Sequence, residues 1–211
     1  MKETLIKLMK PGDVILINGS ARWYKIPTKI VHFMIRLYQR RLFGKRSVYK
    51  DTHVMLYLSP ARIFSQGYPV AKWETIEDVA KKKFTVYRNR WVHYEKFQHE
   101  LNEIAGRIIG RSYDMGDNLD FLISGLLGYT NRRRIRIFEF SRRRMVCSVA
   151  VRTILERLRQ DEKRKGFSAI AKLFPGVDVE MTTPAHFANS ILFRWEFKKV
   201  ASWKELNKKE S

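Results

Sequence analysis

Apolar residues along this chain fall into short blocks whose spacing alternates between strand-like and helix-like periods. Asp13-Val-Ile-Leu-Ile17 is a continuous apolar run after the Pro11-Gly12 break. It reads as a buried strand preceded by a short opening helix. From 27 to 42, Ile30, Val31, Met34, Leu37, Tyr38 and Leu42 form a helical stripe that ends in Arg40-Arg41. Thr52–Leu58 predicts a strand, Ser59-Pro60-Ala61 a turn and Arg62–Gln66 the returning strand. A short helix is expected over Glu74–Lys82 and a strand over Phe84–Tyr87.

The second half reads as mostly helical. Phe97, Leu101, Ile104, Ala105 and Ile108 mark a long amphipathic helix from Val92 to Ile109, stopped at Gly110. Gly116–Gly128 predicts a buried helix. Met145–Leu158 carries Cys147, Val151, Ile154 and Leu158 at helical spacing. Thr183-Pro184 is a good helix start, a capping hydroxyl followed by proline in the first turn. Phe193–Lys198 alternates like a final strand. Early strands, central helices and one late strand make an α+β pattern rather than a βαβ alternation. With 211 residues and no repeat or low-complexity linker, residues 1–211 form one domain.

Composition narrows the partners. Lys and Arg number 42 against 21 acidic residues, a net charge of +21. Such a field favours polyanions: nucleic acid, anionic lipid or acidic envelope polymers. A single cysteine excludes an internal disulfide, a cysteine zinc site and a CxxC redox pair. No HExxH or calcium-type carboxylate loop occurs, so neither metal nor cofactor is expected. The longest uncharged runs, Met181–Phe193 and Phe121–Asn131, are well short of the roughly 20 apolar residues of a membrane span. Glu3 and Lys7 interrupt any signal-peptide core. The expectation is a chain that is cytoplasmic when made, reaching the outside only in a virus particle or by lysis.

Cys147 is the first candidate for chemistry. A lone cysteine on an apolar helical stripe is ordinarily a small buried hydrophobe. Its place in a first helical turn, after Arg142, Arg143 and Arg144, favours instead a thiolate of depressed pKa. Such a nucleophile needs a base. Of the five histidines, His32, His93, His99 and His186 read as packing or surface residues. His53 opens an otherwise apolar strand, awkward for packing and well placed for a cleft. A three-residue hairpin loop pairs Leu58 with Arg62 and Met55 with Ser65, bringing Ser65 beside His53. A four-residue loop puts Gln66 there instead. Either side chain could orient the ring, as the third member of a triad does.

Five segments in order carry a resemblance. Met9-Lys-Pro-Gly-Asp-Val-Ile-Leu, Asp51-Thr-His-Val-Met-Leu-Tyr-Leu, Gly110-Arg-Ser-Tyr-Asp, Met145-Val-Cys-Ser-Val-Ala-Val and Thr183-Pro-Ala-His-Phe-Ala-Asn-Ser run over nearly the whole chain. Together they resemble circularly permuted papain-like cysteine hydrolases of the NlpC type, in the YiiX/YaeF-like branch, where histidine precedes cysteine. The resemblance implies an antiparallel sheet packed against helices, Cys147 as nucleophile and His53 as base. It puts the third polar residue, often Glu in relatives, at Ser65, with Gln66 next door. It also implies Tyr113 as a pocket residue and Asp114 as a structural cap. The chemistry implied is acyl transfer on amide, isopeptide, ester or thioester bonds.

Seven arginines crowd 132–144 around Ile135, Ile137, Phe138 and Phe140. Arg132, Arg133, Arg134, Arg142, Arg143 and Arg144 are the candidates for an anion-docking surface; the plainer reading is a solvated loop. The leading expectation is a cysteine amidase or peptidase acting on peptidoglycan peptides. A second is a non-catalytic or virion-structural protein that binds nucleic acid or an assembly partner. A third is a lipid acyl hydrolase or transferase with the same Cys–His pair, which would need an apolar groove near Tyr113 and Phe121.

Overall fold

In the computed structural model of the protein, the described residues are 2–19, 26–44, 50–67, 69–89, 93–113, 123, 145–164, 173–174, 177–189 and 197–210. A short helix α1 (Lys2–Leu8) leads into β1 (Val14–Asn18) and α2 (Ile26–Phe43). Then come β2 (His53–Ser59), β3 (Arg62–Gln66), β4 (Ala71–Glu74), α3 (Ile76–Ala80) and β5 (Lys83–Asn89). A 3-10 turn (Tyr94–Phe97) precedes α4 (Gln98–Gly106). After the undescribed stretch come α5 (Cys147–Arg164), α6 (Pro184–Asn189), β6 (Phe197–Ser202) and α7 (Trp203–Glu210).

The strands form one six-stranded sheet in the order β4-β3-β2-β1-β5-β6, with every neighbour antiparallel. The α+β expectation of an antiparallel sheet packed against helices therefore holds. Both faces of the sheet are covered, which explains why β1 and β2 are apolar almost without interruption instead of alternating. Val14, Leu16, Val54, Leu56, Leu58 and Phe64 pack against α4 and α5. Ile15, Ile17, Met55, Tyr57 and Ile63 pack against α1, α3 and α7.

Several expectations need correction. Glu74 does not start a helix; it ends β4, and α3 begins only at Ile76. The Thr75 amide and hydroxyl both donate to Asp78 Oδ2, which fixes the chain's turn out of the strand. The helix expected from Val92 starts at Gln98, after the 3-10 turn. The final strand runs on to Ser202, while 193–196 lie outside the described residues. Neither β4 nor α7 was expected. The Gly116–Gly128 expectation falls almost wholly outside the described residues.

Gly12 shows why the first turn needs glycine. Its φ is +86°, and a Cβ there would lie 2.2 Å from Tyr94 Cβ. Behind it, Asp13 is fully buried and takes Nε and a terminal nitrogen of Arg88 at 2.8 and 2.7 Å.

Helix α5 is the main support of the α4/α5 side. Ala150, Val151, Ile154, Leu155 and Leu158 are all buried in its core. One turn into it, Arg152 is 1% exposed. Its Nε donates to Glu156 Oε1 at 2.8 Å. One terminal nitrogen reaches Thr182 Oγ1 at 2.8 Å and the carbonyls of Val177 and Asp178 at 3.2 and 3.3 Å. Glu156 also accepts from the Leu173 amide at 2.8 Å. Arg152 thus ties α5 to the segment leading into α6. Arg152→Leu strands the buried Glu156 carboxylate, and a loss of about 3–5 kcal/mol is expected. The shift of the urea unfolding midpoint measures it; a change under ~1 kcal/mol would show that the clamp is not needed.

Candidate active site

Cys147 opens α5 and is 2% exposed. The backbone N–H groups of Val54, Ser148 and Cys147 itself lie at its sulfur and favour the thiolate. A cavity of about 10 Å³, room for roughly one water, adjoins it. Its walls include Ile35 and Tyr38 of α2, Tyr113, and Thr182, Thr183 and Pro184 at the start of α6. Tight hydrogen bonds hold these walls. Ser148 Oγ donates to the Thr182 carbonyl at 2.5 Å. The Gln39 amide of α2 donates to the Asp51 carbonyl at 2.9 Å, and its oxygen accepts the Ala185 N–H at 2.6 Å.

The His53 ring belongs to a row built across three strands. Met55 pairs with Ser65, and Ser65 with Lys72. Consequently His53, Ser65 and Glu74 share the sheet face that carries Met55 and Tyr57. His53 Nε2 and Ser65 Oγ are 2.9 Å apart, and Ser65 Oγ donates to Glu74 Oε1 at 3.0 Å. Glu74 Oε2 accepts from Lys82 Nζ, and Lys72 Nζ is 3.7 Å from Oε1.

The hairpin turn sets this row by an unforeseen route. Ser59, not Leu58, faces Arg62, and a register shift between Tyr57 and Ser59 restores the pairing of Met55 with Ser65. Gln66 therefore does not meet the imidazole. Its amide donates to the Arg111 carbonyl at 3.1 Å, and Ser65 holds the ring.

Burial dominates the electrostatics. It pushes the Cys147 thiol up to about 11, outweighing the backbone N–H groups at the sulfur. The expected depression of the thiol pKa by the helix start is thus reversed. Burial likewise pulls His53 down to about 4, against the attraction of Glu74 and with help from Lys82, His32 and Lys72. Burial alone would raise Glu74, but Lys82, His53 and Ser65 together hold its carboxyl below the ordinary range. At neutral pH the resting site is a neutral thiol and a neutral imidazole. Among the described residues, no hydrogen bond joins Cys147 to His53: the ring lies on the sheet face of Met55 and Tyr57, and Cys147 opens the helix packed on the other face.

Other candidates are placed as follows. Tyr113 bridges to Met145 and lines the cavity beside Cys147. Arg132, Arg133, Arg134, Arg142, Arg143 and Arg144, with Asp114 and Phe121, lie outside the described residues. His186, passed over as a packing residue, is buried with Nδ1 accepting the Thr183 N–H at 3.0 Å. Glu74 was missed. Its signal was a carboxylate close in sequence to a basic cluster, but its pairing with Ser65 exists only in the folded sheet. Among the described residues no group of three or more His, Cys, Asp or Glu could hold a metal ion, and no helix is long and apolar enough to cross a membrane.

No protein-family profile matches the chain, and no curated protein matches it. Among solved structures it is similar to the crystal structure of metalloprotein yiiX (DUF1105) from Escherichia coli O157:H7. That likeness has 13% identity and a TM-score of 0.49, over 92% of this chain and 98% of that one. At such values it bears on no residue of the site.

Two titrations follow from the burial. Iodoacetamide alkylation of native Cys147 is expected to rise with pH toward a midpoint near 11, where an unperturbed thiol gives about 8.5. A midpoint below 8.5 would contradict the burial argument. The His53 ring is expected to stay neutral on acidification through 6.5 and to protonate only near 4, read from its ring NMR shifts. Protonation above 6 would contradict it.

Proposed function

We propose that this chain is a circularly permuted papain-like cysteine hydrolase that cleaves amide bonds, with peptidoglycan stem peptides as the substrate class. One observation carries the proposal. An imidazole oriented by a hydroxyl and a carboxylate opens the strand whose next backbone N–H, that of Val54, favours the thiolate of a helix-opening cysteine. The order of the two residues, His53 before Cys147, is the permuted one. The charge of +21 suits an anionic envelope polymer.

The resting pair is neutral, so the thiol proton must move as the sulfur attacks. In this reading the Cys147 S–H proton passes to His53 while sulfur bonds to the acyl carbon and the carbonyl oxygen becomes an oxyanion. The Cys147 N–H, at the start of α5, is a donor for that oxyanion. The C–N bond then breaks and the leaving amine takes the proton from His53. Water, losing a proton to His53, attacks the thioester; the thioester C–S bond breaks and the proton returns to sulfur. Substrate entry requires the wall between α2 and the start of α6 to part, and proton transfer requires the His53 ring to turn from the sheet face of Met55 and Tyr57 toward the sulfur. Tyr113 then contacts the bound acyl group.

The 2% exposure of Cys147 favours a second reading, a non-catalytic protein that binds nucleic acid or an assembly partner through its basic surface. Turnover separates the two. Hydrolysis of stem peptides and of a short-chain ester is followed in the wild type, Cys147→Ala and His53→Ala, with circular dichroism confirming the fold. Both variants are expected to lose at least about 10³-fold in kcat/KM. Peptide cleavage supports the amidase. Ester cleavage alone would replace it with the lipid acyl hydrolase, and activity unchanged in Cys147→Ala would overturn the cysteine mechanism.

A further inference from the structure

Ser65 has one proton and two partners, and this decides the state of the imidazole. Its hydroxyl oxygen is 2.9 Å from His53 Nε2 and 3.0 Å from Glu74 Oε1. An ionised carboxylate only accepts hydrogen bonds, so the Ser65 proton goes to Glu74. Ser65 Oγ must then accept, and its other neighbour, Nε2, must carry the hydrogen. A neutral imidazole has one N–H, so Nδ1 keeps its lone pair.

Lysines keep the carboxylate ionised. Lys82 Nζ donates to Oε2, and Lys72 Nζ is 3.7 Å from Oε1. Glu74 is nevertheless 8% exposed, and the groups whose charges reach His53 are Glu74, Lys82, His32 and Lys72. Glu74 touches neither His53 nor Cys147 through any hydrogen bond among the described residues; its reach to the ring runs through one hydroxyl.

We propose that Glu74, held by Lys82, acts through Ser65 as a positioning residue that locks His53 in its Nε2–H tautomer and leaves Nδ1 as the base. The functional part of this statement rests on the cysteine-hydrolase reading; the tautomer part does not. An acid two hydrogen bonds from the ring thus takes the place of one bonded to it directly. The serine turns a carboxylate acceptor into an acceptor for the ring, so the sense of the bond is preserved along the row.

Replacing one atom should reverse that sense. In Glu74→Gln, Lys82 demands the amide oxygen, so the NH2 group faces Ser65 and donates to it. The Ser65 proton then turns to His53 Nε2, and the ring adopts the Nδ1–H tautomer. Long-range proton–nitrogen NMR on protein with nitrogen-15 histidine reads this directly at pH 7. In the wild type, His53 should show a pyrrole-type Nε2 and a pyridine-type Nδ1, and in Glu74→Gln the two should exchange. Wild-type protein with Nδ1 protonated would overturn the proposal without any variant. A wild-type pattern unchanged in Glu74→Gln would overturn the role of Glu74.

Kinetics tests the functional part separately. Glu74→Gln should lower kcat by up to roughly 10⁴-fold, the loss seen when a catalytic histidine holds the wrong tautomer, with KM little changed. Glu74→Asp, which keeps the acceptor, should recover part of the loss. The tautomer exchange in Glu74→Gln, together with a wild type that has no hydrolase activity, would refute the hydrolase reading and leave the lock standing.

Discussion

The register of β2, β3 and β4 is the constraint on which the site depends. Side chains alternate between faces along a strand, so a slip of one residue at the Pro60-Ala61 turn would carry Ser65 through the sheet and bring Gln66 or Phe64 to the imidazole. The irregularity between Tyr57 and Ser59 absorbs the mismatch of a tight turn and leaves the ladder aligned beyond it. The Pro60 carbonyl accepts the Ile76 amide at 2.9 Å, so the tip is also pinned to α3. Thr75 and Asp78 then direct the chain so that Lys82 returns to Glu74. A row of polar groups on an otherwise apolar face is stable only because each member has a partner.

The same enclosure sets the site's resting chemistry. A thiolate or an imidazolium must first lose water, and in this closed site that cost prevails at both Cys147 and His53. The helix N-terminus and the backbone N–H groups at sulfur favour the charged form without overcoming burial. A neutral pair protects the thiol from adventitious oxidation and alkylation. It also links reactivity to opening of the wall that Gln39 joins to α6 and Ser148 joins to Thr182. Arg152, one turn beyond Ser148 on α5, anchors the same segment.

Much of this frame could be read from residue pattern. The break at Pro11-Gly12, the apolar strands and the stripe of α5 each have a period or a breaker that belongs to one element type. Strand β4 was hidden because Ala-Lys-Trp-Glu is short and mixed in polarity, as suits an edge, and the Ile76 and Val79 spacing drew Glu74 into a helix. Helix α7 was hidden by its charge; among its described side chains, Trp203 and Leu206 carry it onto the sheet. At the site, His53 and Ser65 were legible through the hairpin, because local pairing fixes them. Glu74 was not, because its partnership depends on a third strand. The pKa direction of Cys147 was misread for a similar reason: position in a helix is visible in sequence, and depth beneath other elements is not.

Formation of an acyl group on the sulfur of Cys147 tests the central claim most directly. Intact-mass spectrometry after exposure to a small activated thioester, with peptide mapping to locate the adduct, would detect it. The account predicts one acyl group on Cys147 in the wild type, forming far more slowly in His53→Ala. A folded wild-type protein that never acquires that mass, or acquires it elsewhere, would contradict the account and leave Cys147 as a buried packing residue.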